Sequence, residues 1–193
     1  MKTTTHLTSQ VKIAVTPDGI AIESPFSSTN NEKFRSRGGV FDNKTGRWIF
    51  PDTAATRAMI EELYGNESEL VIVALPSTRV DEIGKQWQTG GYVIATRFEQ
   101  AGAVKTAPGV QLAKGAWLSK GGTQAEPKVT ADPNTVIHIV VRKSYADRES
   151  LTIIANDPPS RNILEDINIS DLIAELRRRG FNVGNDAPEG LTV

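Results

Sequence analysis

The chain has 193 residues, no cysteine, and 22 basic against 23 acidic side chains, for a net charge of −1. That excludes disulfides, thiol nucleophiles and Cys-based zinc or iron–sulfur sites, and it excludes a polycation, so any nucleic-acid contact has to come from a local patch. An apolar content of 38 % is enough for a packed core, the first residues Met1–His6 carry no apolar leader, and no run approaches the ~20 apolar residues that span a bilayer; a cytoplasmic protein is expected.

In chain order, Val11–Val15 and Ile20–Glu23 alternate apolar and polar residues around Thr16-Pro17-Asp18-Gly19, which predicts a β-hairpin. After a polar loop over Ser24–Asn31, a short helix is expected from about Asn30 to Ser36, stopped by Gly38-Gly39. Gly39–Asp42 and Arg47–Phe50 then form two strands. Asn43-Lys44-Thr45-Gly46 suits a type I turn with a glycine bulge. Asp52 is positioned to cap a helix that runs to about Tyr64, with Ala55, Met59, Ile60 and Leu63 at helical spacing and Gly65 after its end. Glu69–Pro76 is a strongly apolar strand, expected at the centre of a sheet.

Residues 85–145 read as β-rich. Tyr92–Arg97, Gln111–Leu118 and Thr135–Arg142 are the best strands, with Leu151–Ala155 after them, and Gly90-Gly91, Pro108-Gly109 and Gly121-Gly122 punctuate the segment. Asn156–Pro159 has linker composition. A last helix spans about Ser170–Arg179, with Ile169, Leu172, Ile173 and Leu176 as its apolar stripe and Arg177–Arg179 matching its C-terminal dipole. The layout is α+β, with mixed, mainly antiparallel sheets. It divides into a ββαββα(β) unit over 1–80, a β-rich unit over 81–155, and a helix and tail over 156–193.

The segment richest in chemistry is Lys33–Phe50. It carries Lys33, Arg35, Arg37, Lys44 and Arg47 against one acid, Asp42, with Phe34, Phe41, Trp48 and Phe50 interleaved. Cations that neutralise phosphates and rings that stack on unpaired bases are the means by which single strands are held. With Asn43–Gly46 as the turn, Asp42 lies opposite Arg47 and Phe41 opposite Trp48. Phe41, Trp48 and Phe50 then share one face of the sheet, and Val40 and Ile49 the other. Two readings stay open for the aromatics: a stacking surface, or core with a solvated basic rim. The double glycine admits a close approach by backbone or ligand.

Ser24-Pro25-Phe26, then Phe34–Pro51 (F-R-S-R-G-G-V-F-D-N-K-T-G-R-W-I-F-P), then an amphipathic helix, resembles the HARP motif of annealing helicases, a segment also found in plasmid- and phage-borne bacterial proteins. The resemblance covers about residues 20–65. It implies a Pur-like sheet-and-helix unit that binds single-stranded or forked DNA. The helicase motor is missing from this sequence, with no G-x-x-x-x-G-K-[ST] phosphate loop. The expected function is therefore a non-catalytic DNA-binding accessory protein of a mobile element, without cofactor or metal. The site residues are Lys33, Arg35, Arg37, Phe41, Lys44, Arg47 and Trp48.

Other features are less specific. Lys105, Lys114, Lys120 and Lys128 outnumber the acids around them, which fits a second nucleic-acid surface, a partner-docking sheet, or an ordinary small barrel-like or sandwich domain with solvated lysines. His6 and His138, the only histidines, lie too far apart in chain and context for a triad or a metal site, and the acidic pairs Asp81-Glu82 and Glu165-Asp166 lack a metal-nuclease pattern. The rival to DNA binding is a protein–protein inhibitor or adaptor, which the near-neutral charge favours. A hydrolase or nuclease assembled from distant acids is the third class.

Overall fold

A computed structural model describes residues 7–66, 68–99, 102–118 and 121–156, which fall within one compact unit. The expected linker after Asn156, the Ser170–Arg179 helix with its apolar stripe, His6, Lys120 and the Glu165-Asp166 pair lie outside the described residues. The fold is α+β, with three mainly antiparallel four-stranded sheets.

Sheet I has the order β1-β2-β4-β3, built from β1 (Lys12–Thr16), β2 (Gly19–Glu23), β3 (Val40–Asp42) and β4 (Arg47–Phe50). The β1–β2 hairpin closes through Pro17-Asp18, and Gly19 at φ 128 supplies the conformation that ends the turn. In the second hairpin Asp42 pairs with Arg47, Phe41 with Trp48 and Val40 with Ile49, the register expected from the turn.

Helix α1 (Ser28–Ser36) starts two residues earlier than expected. Ser27 is its N-cap, and Ser27 Oγ accepts from the Asn30 N–H at 3.1 Å. It ends in a Schellman arrangement, with the Gly39 N–H on Phe34 O and the Gly38 N–H on Arg35 O, and Gly38 at φ 77. A Cβ on Gly39 would stand 2.4 Å from the Phe50 ring, so the close approach that the double glycine allows is to the core rather than to a ligand.

Helix α2 (Ala54–Tyr64) is capped by Thr53, whose Oγ1 accepts from the Thr56 N–H at 3.2 Å. Asp52, the expected cap, instead makes a paired contact with Arg57 at 2.7 Å. Its buried stripe is Thr56, Met59, Ile60, Leu63 and Tyr64. Ala55 falls one position off that stripe and is exposed.

Sheet II has the order β10-β11-β5-β12: β10 (Val110–Lys114), β11 (Val136–Arg142), β5 (Leu70–Pro76) and β12 (Thr152–Asn156). As expected, β5 is internal, with Val71, Val73 and Leu75 inaccessible to solvent. Both its neighbours come from beyond residue 130, so the units expected over 1–80 and 81–155 share this sheet. The expected Gln111–Leu118 strand is shorter. It stops before Gly115, which takes φ 82 against Thr135, and Trp117 makes only an isolated bridge to Ala131. One helical segment, α3 (Lys143–Arg148), joins β11 to β12.

Sheet III is a meander of β6 (Asp81–Ile83), β7 (Gln86–Thr89), β8 (Tyr92–Thr96) and β9 (Lys105–Thr106). One buried cluster links the layers, including Phe34, Trp48 and Phe50 from the first 50 residues and Tyr64, Tyr92 and Tyr145 beyond them. Burial pushes the Tyr145 phenol up to about 12 and raises those of Tyr64 and Tyr92 as well, so all three are neutral hydrogen-bonding groups. Among the described residues no helix is long and apolar enough to cross a membrane.

Candidate nucleic-acid interface

The period-two alternation of a strand sorts the Lys33–Phe50 candidates onto opposite sides of sheet I. Phe41, Trp48 and Phe50 face inward with Ile20 and Ile22, and α1 lies over them. Phe34 meets Trp48 and Phe50 edge-on, with ring centroids 5.4 Å away in each case. Phe50 is fully buried, and Trp48 is only 7 % exposed. Of the two readings of the aromatics, core is therefore correct for both. Phe41 differs: it sits on the edge strand β3 and is 44 % exposed while still packing 5.3 Å from Trp48.

Beside Trp48 the inner face opens into a cleft of about 380 Å3, lined chiefly by Pro25, Phe26, Asn31, Arg35, Phe41 and Trp48. Phe26 is 62 % exposed. The Arg35 guanidinium carbon lies 5.7 Å from the Trp48 ring centre, a cation–π distance. The loop that carries Phe26 is held by buried amides of sheet III. Gln86 Nε2 donates to Phe26 O at 2.9 Å, and Gln88 Nε2 donates to Ser27 Oγ at 2.9 Å and to Gln86 Oε1 at 3.0 Å. Asn30 Nδ2 ties the first turn of α1 to Gly91 O at 2.8 Å. The loop and the first turn of α1 on that side of the cleft are thus tied to sheet III.

The cations divide in the same way. Arg47 points outward, where Glu23 binds it and Lys12, each at 3.3 Å, and the register places Asp42 on its other side. The outer face therefore carries a row of alternating charge, Lys12, Glu23, Arg47, Asp42. The Thr45 hydroxyl and then the Lys44 N–H hold the Asp42 carboxyl below its usual value. Lys33 is occupied by Glu62 at 2.9 Å, and that ammonium holds the Glu62 carboxyl below its ordinary range. Arg35, Arg37 and Lys44 are exposed and have no ion-pair partner among the described residues.

Of the seven residues expected to form the site, the structure brings Arg35, Phe41 and Trp48 to the cleft. Lys44 sits in the turn beside it and Arg37 at the end of α1. Lys33 and Arg47 are tied up elsewhere. Phe26 and Asn31 were not among the expected site residues. The signal for Phe26 was its isolation: an aromatic in a polar loop, behind a proline, belongs to no periodic pattern that would bury it.

The other candidates do not assemble. Lys128 is paired with Glu82 at 2.7 Å, while Lys105 and Lys114 lie on strands of different sheets. His138 is half-buried in β11, where desolvation lowers its pKa. No group of three acidic or histidine side chains among the described residues converges as a metal site.

Fold and cleft together define an α+β protein with an aromatic, arginine-edged slot on one face of its first sheet. No family model matches the chain, and neither a curated protein nor a solved structure matches it significantly.

Proposed function

We propose that the protein is a non-catalytic accessory protein that binds single-stranded or branched DNA, with Phe26, Phe41 and Arg35 at the contact and Arg37 and Lys44 on the phosphates beside it. The observation that carries this reading is the pair of exposed rings, Phe26 and Phe41, at one cleft with an arginine that no carboxylate neutralises. Exposed aromatics grouped at a concave site mark a binding surface. Base stacking adds about 1–3 kcal/mol per base, and three phosphate contacts on a single strand give a log–log salt slope of about −2. The resemblance of Ser24–Pro51 to the HARP motif points the same way.

The test is a titration with labelled single strand, duplex and fork at two salt concentrations. Salt-sensitive binding that favours single strand and fork is expected, and the triple variant Arg35→Ala/Arg37→Ala/Lys44→Ala should flatten the salt slope. No salt-sensitive binding at micromolar protein, or an unchanged triple variant, overturns the proposal.

A second reading, a protein-docking adaptor, is favoured by Val40, which is 69 % exposed on the edge strand β3. A stoichiometric protein partner in the absence of DNA affinity selects it.

A further inference from the structure

A platform for a running strand exposes ring faces one after another, so that successive bases lie down on them. The cleft beside Trp48 is built otherwise. Trp48 lines it but is almost wholly buried, and so forms its floor. Phe41 leans on that floor, tilted by 55°, and makes one wall. Phe26 lines the same cleft from the loop before α1, yet takes part in none of the ring pairs among the described residues. Both rings border the same cleft and are not paired with each other. A planar ring sandwiched between two others needs about 7 Å, twice an ordinary carbon–carbon contact. A volume of about 380 Å3 lies at the small end of small-molecule sites, room for one ring system and its sugar but not for a run of them.

Two polar groups complete the slot. Asn31 is half-buried in the cleft, and its side-chain amide makes no hydrogen bond among the described residues, leaving one donor group and one acceptor free. That pair matches the donor–acceptor edge of a base that has lost its partner. Arg35 stands at the same cleft over Trp48, where its guanidinium is available to a phosphate oxygen. Gln86 holds the backbone from which Phe26 projects, by a hydrogen bond from sheet III.

We propose that the cleft is a slot for one extruded nucleobase, with Phe26 and Phe41 on its two faces, Asn31 at its hydrogen-bonding edge and Arg35 on the adjoining phosphate. This rests on the DNA-binding reading and narrows it. The preferred DNA presents an isolated unpaired base, as a bulge or a junction does, where extrusion costs least.

The experiment uses the full chain and three DNAs: a duplex with a single-nucleotide bulge of 2-aminopurine, the same duplex without the bulge, and a single strand of about 16 nucleotides. The bulged duplex should bind at least about 10-fold more tightly than the perfect one, a change that a single stacked base supplies. Stacking should alter the fluorescence of 2-aminopurine on binding. Phe26→Ala should remove both the preference and the fluorescence change while leaving the salt slope as it was. Phe26→Leu, which keeps apolar bulk but not the ring, should behave alike, and an unchanged melting temperature shows that both variants fold. Asn31→Ala should weaken bulge binding about 5-fold, with the fluorescence change kept.

Equal affinity for bulged and perfect duplex, with salt-sensitive single-strand binding intact, overturns the slot and leaves DNA binding standing. A bulge preference with silent 2-aminopurine also overturns the slot. No salt-sensitive binding to any of the three DNAs overturns both.

Discussion

The two faces of sheet I are made from the same few residues, yet they do opposite things with charge. On the outer face every cation has an anion beside it: Glu23 lies between Lys12 and Arg47, and Asp42 closes the row. On the inner face Arg35 has an aromatic ring beneath it and no anion. A charge already neutralised by a neighbour has little left for a phosphate, whereas one held over a ring keeps its donors. Cation count along a sequence is therefore a poor guide to an interface. Which face each cation occupies, and what it meets there, decides whether it is available.

The contrast can be broken most severely from within. Phe50→Ala removes a fully buried ring that Phe34 and Gly39 pack against, and should cost about 3–5 kcal/mol in denaturant unfolding, disordering both faces together. Phe26→Ala or Phe41→Ala should separate the faces. Each should weaken single-strand binding by about 1–3 kcal/mol in anisotropy titrations. Phe26→Ala should leave the melting temperature within about 2 °C, because most of that ring is in solvent. Phe41→Ala also gives up the contact with Trp48 and should lower it by about 2–4 °C, still less than Phe50→Ala.

A matched pair sharpens the contrast further. Arg35→Ala should lower the salt slope by about 0.7. Arg47→Ala should leave binding unchanged and shift stability by less than about 1 kcal/mol, the value of an exposed ion pair. Equal effects of the two on binding would show that the division between the faces has no functional meaning.

The smallest effect is on pH. The Asp42 carboxyl titrates lower when folded than its ordinary 3.8, so its share of stability is present above that value and is lost as the pH falls below it. Asp42→Asn should flatten the acid-side decline in melting temperature slightly and leave the inner face unaffected.

Much of sheet I was legible because its signals are local. The turn at Asn43–Gly46 sets the register, and alternation then assigns each side chain to a face without knowledge of the rest of the fold. The centrality of β5 followed from its unbroken apolar run. What was not legible depended on distant partners. The strand β7 hides its pattern because the residues it buries include Gln86 and Gln88, whose use is to hold a loop 60 residues earlier in the chain. The occupation of Lys33 by Glu62 joins two helices, and no spacing rule announces it. The choice of Thr53 over Asp52 as cap turned on Arg57, which draws the aspartate aside.

The place of β5 in the middle of sheet II has a consequence for how the protein is made. Pro76 pairs with Val136 and Leu70 with Arg142, so the partners stand 60 and 72 residues apart in the chain. At ~5–20 residues per second a ribosome needs about 3–14 s to supply them. Throughout that interval Leu70–Pro76 is an apolar, β-prone segment with neither edge covered, the kind that pairs with its neighbours on a polysome. A fragment ending near residue 80 carries every residue that lines the cleft, though not Gln86 and Gln88 that hold its loop, and keeps β5 in that state for good. It should be recovered from inclusion bodies, so the cleft can be studied only in a chain long enough to close the sheet behind it.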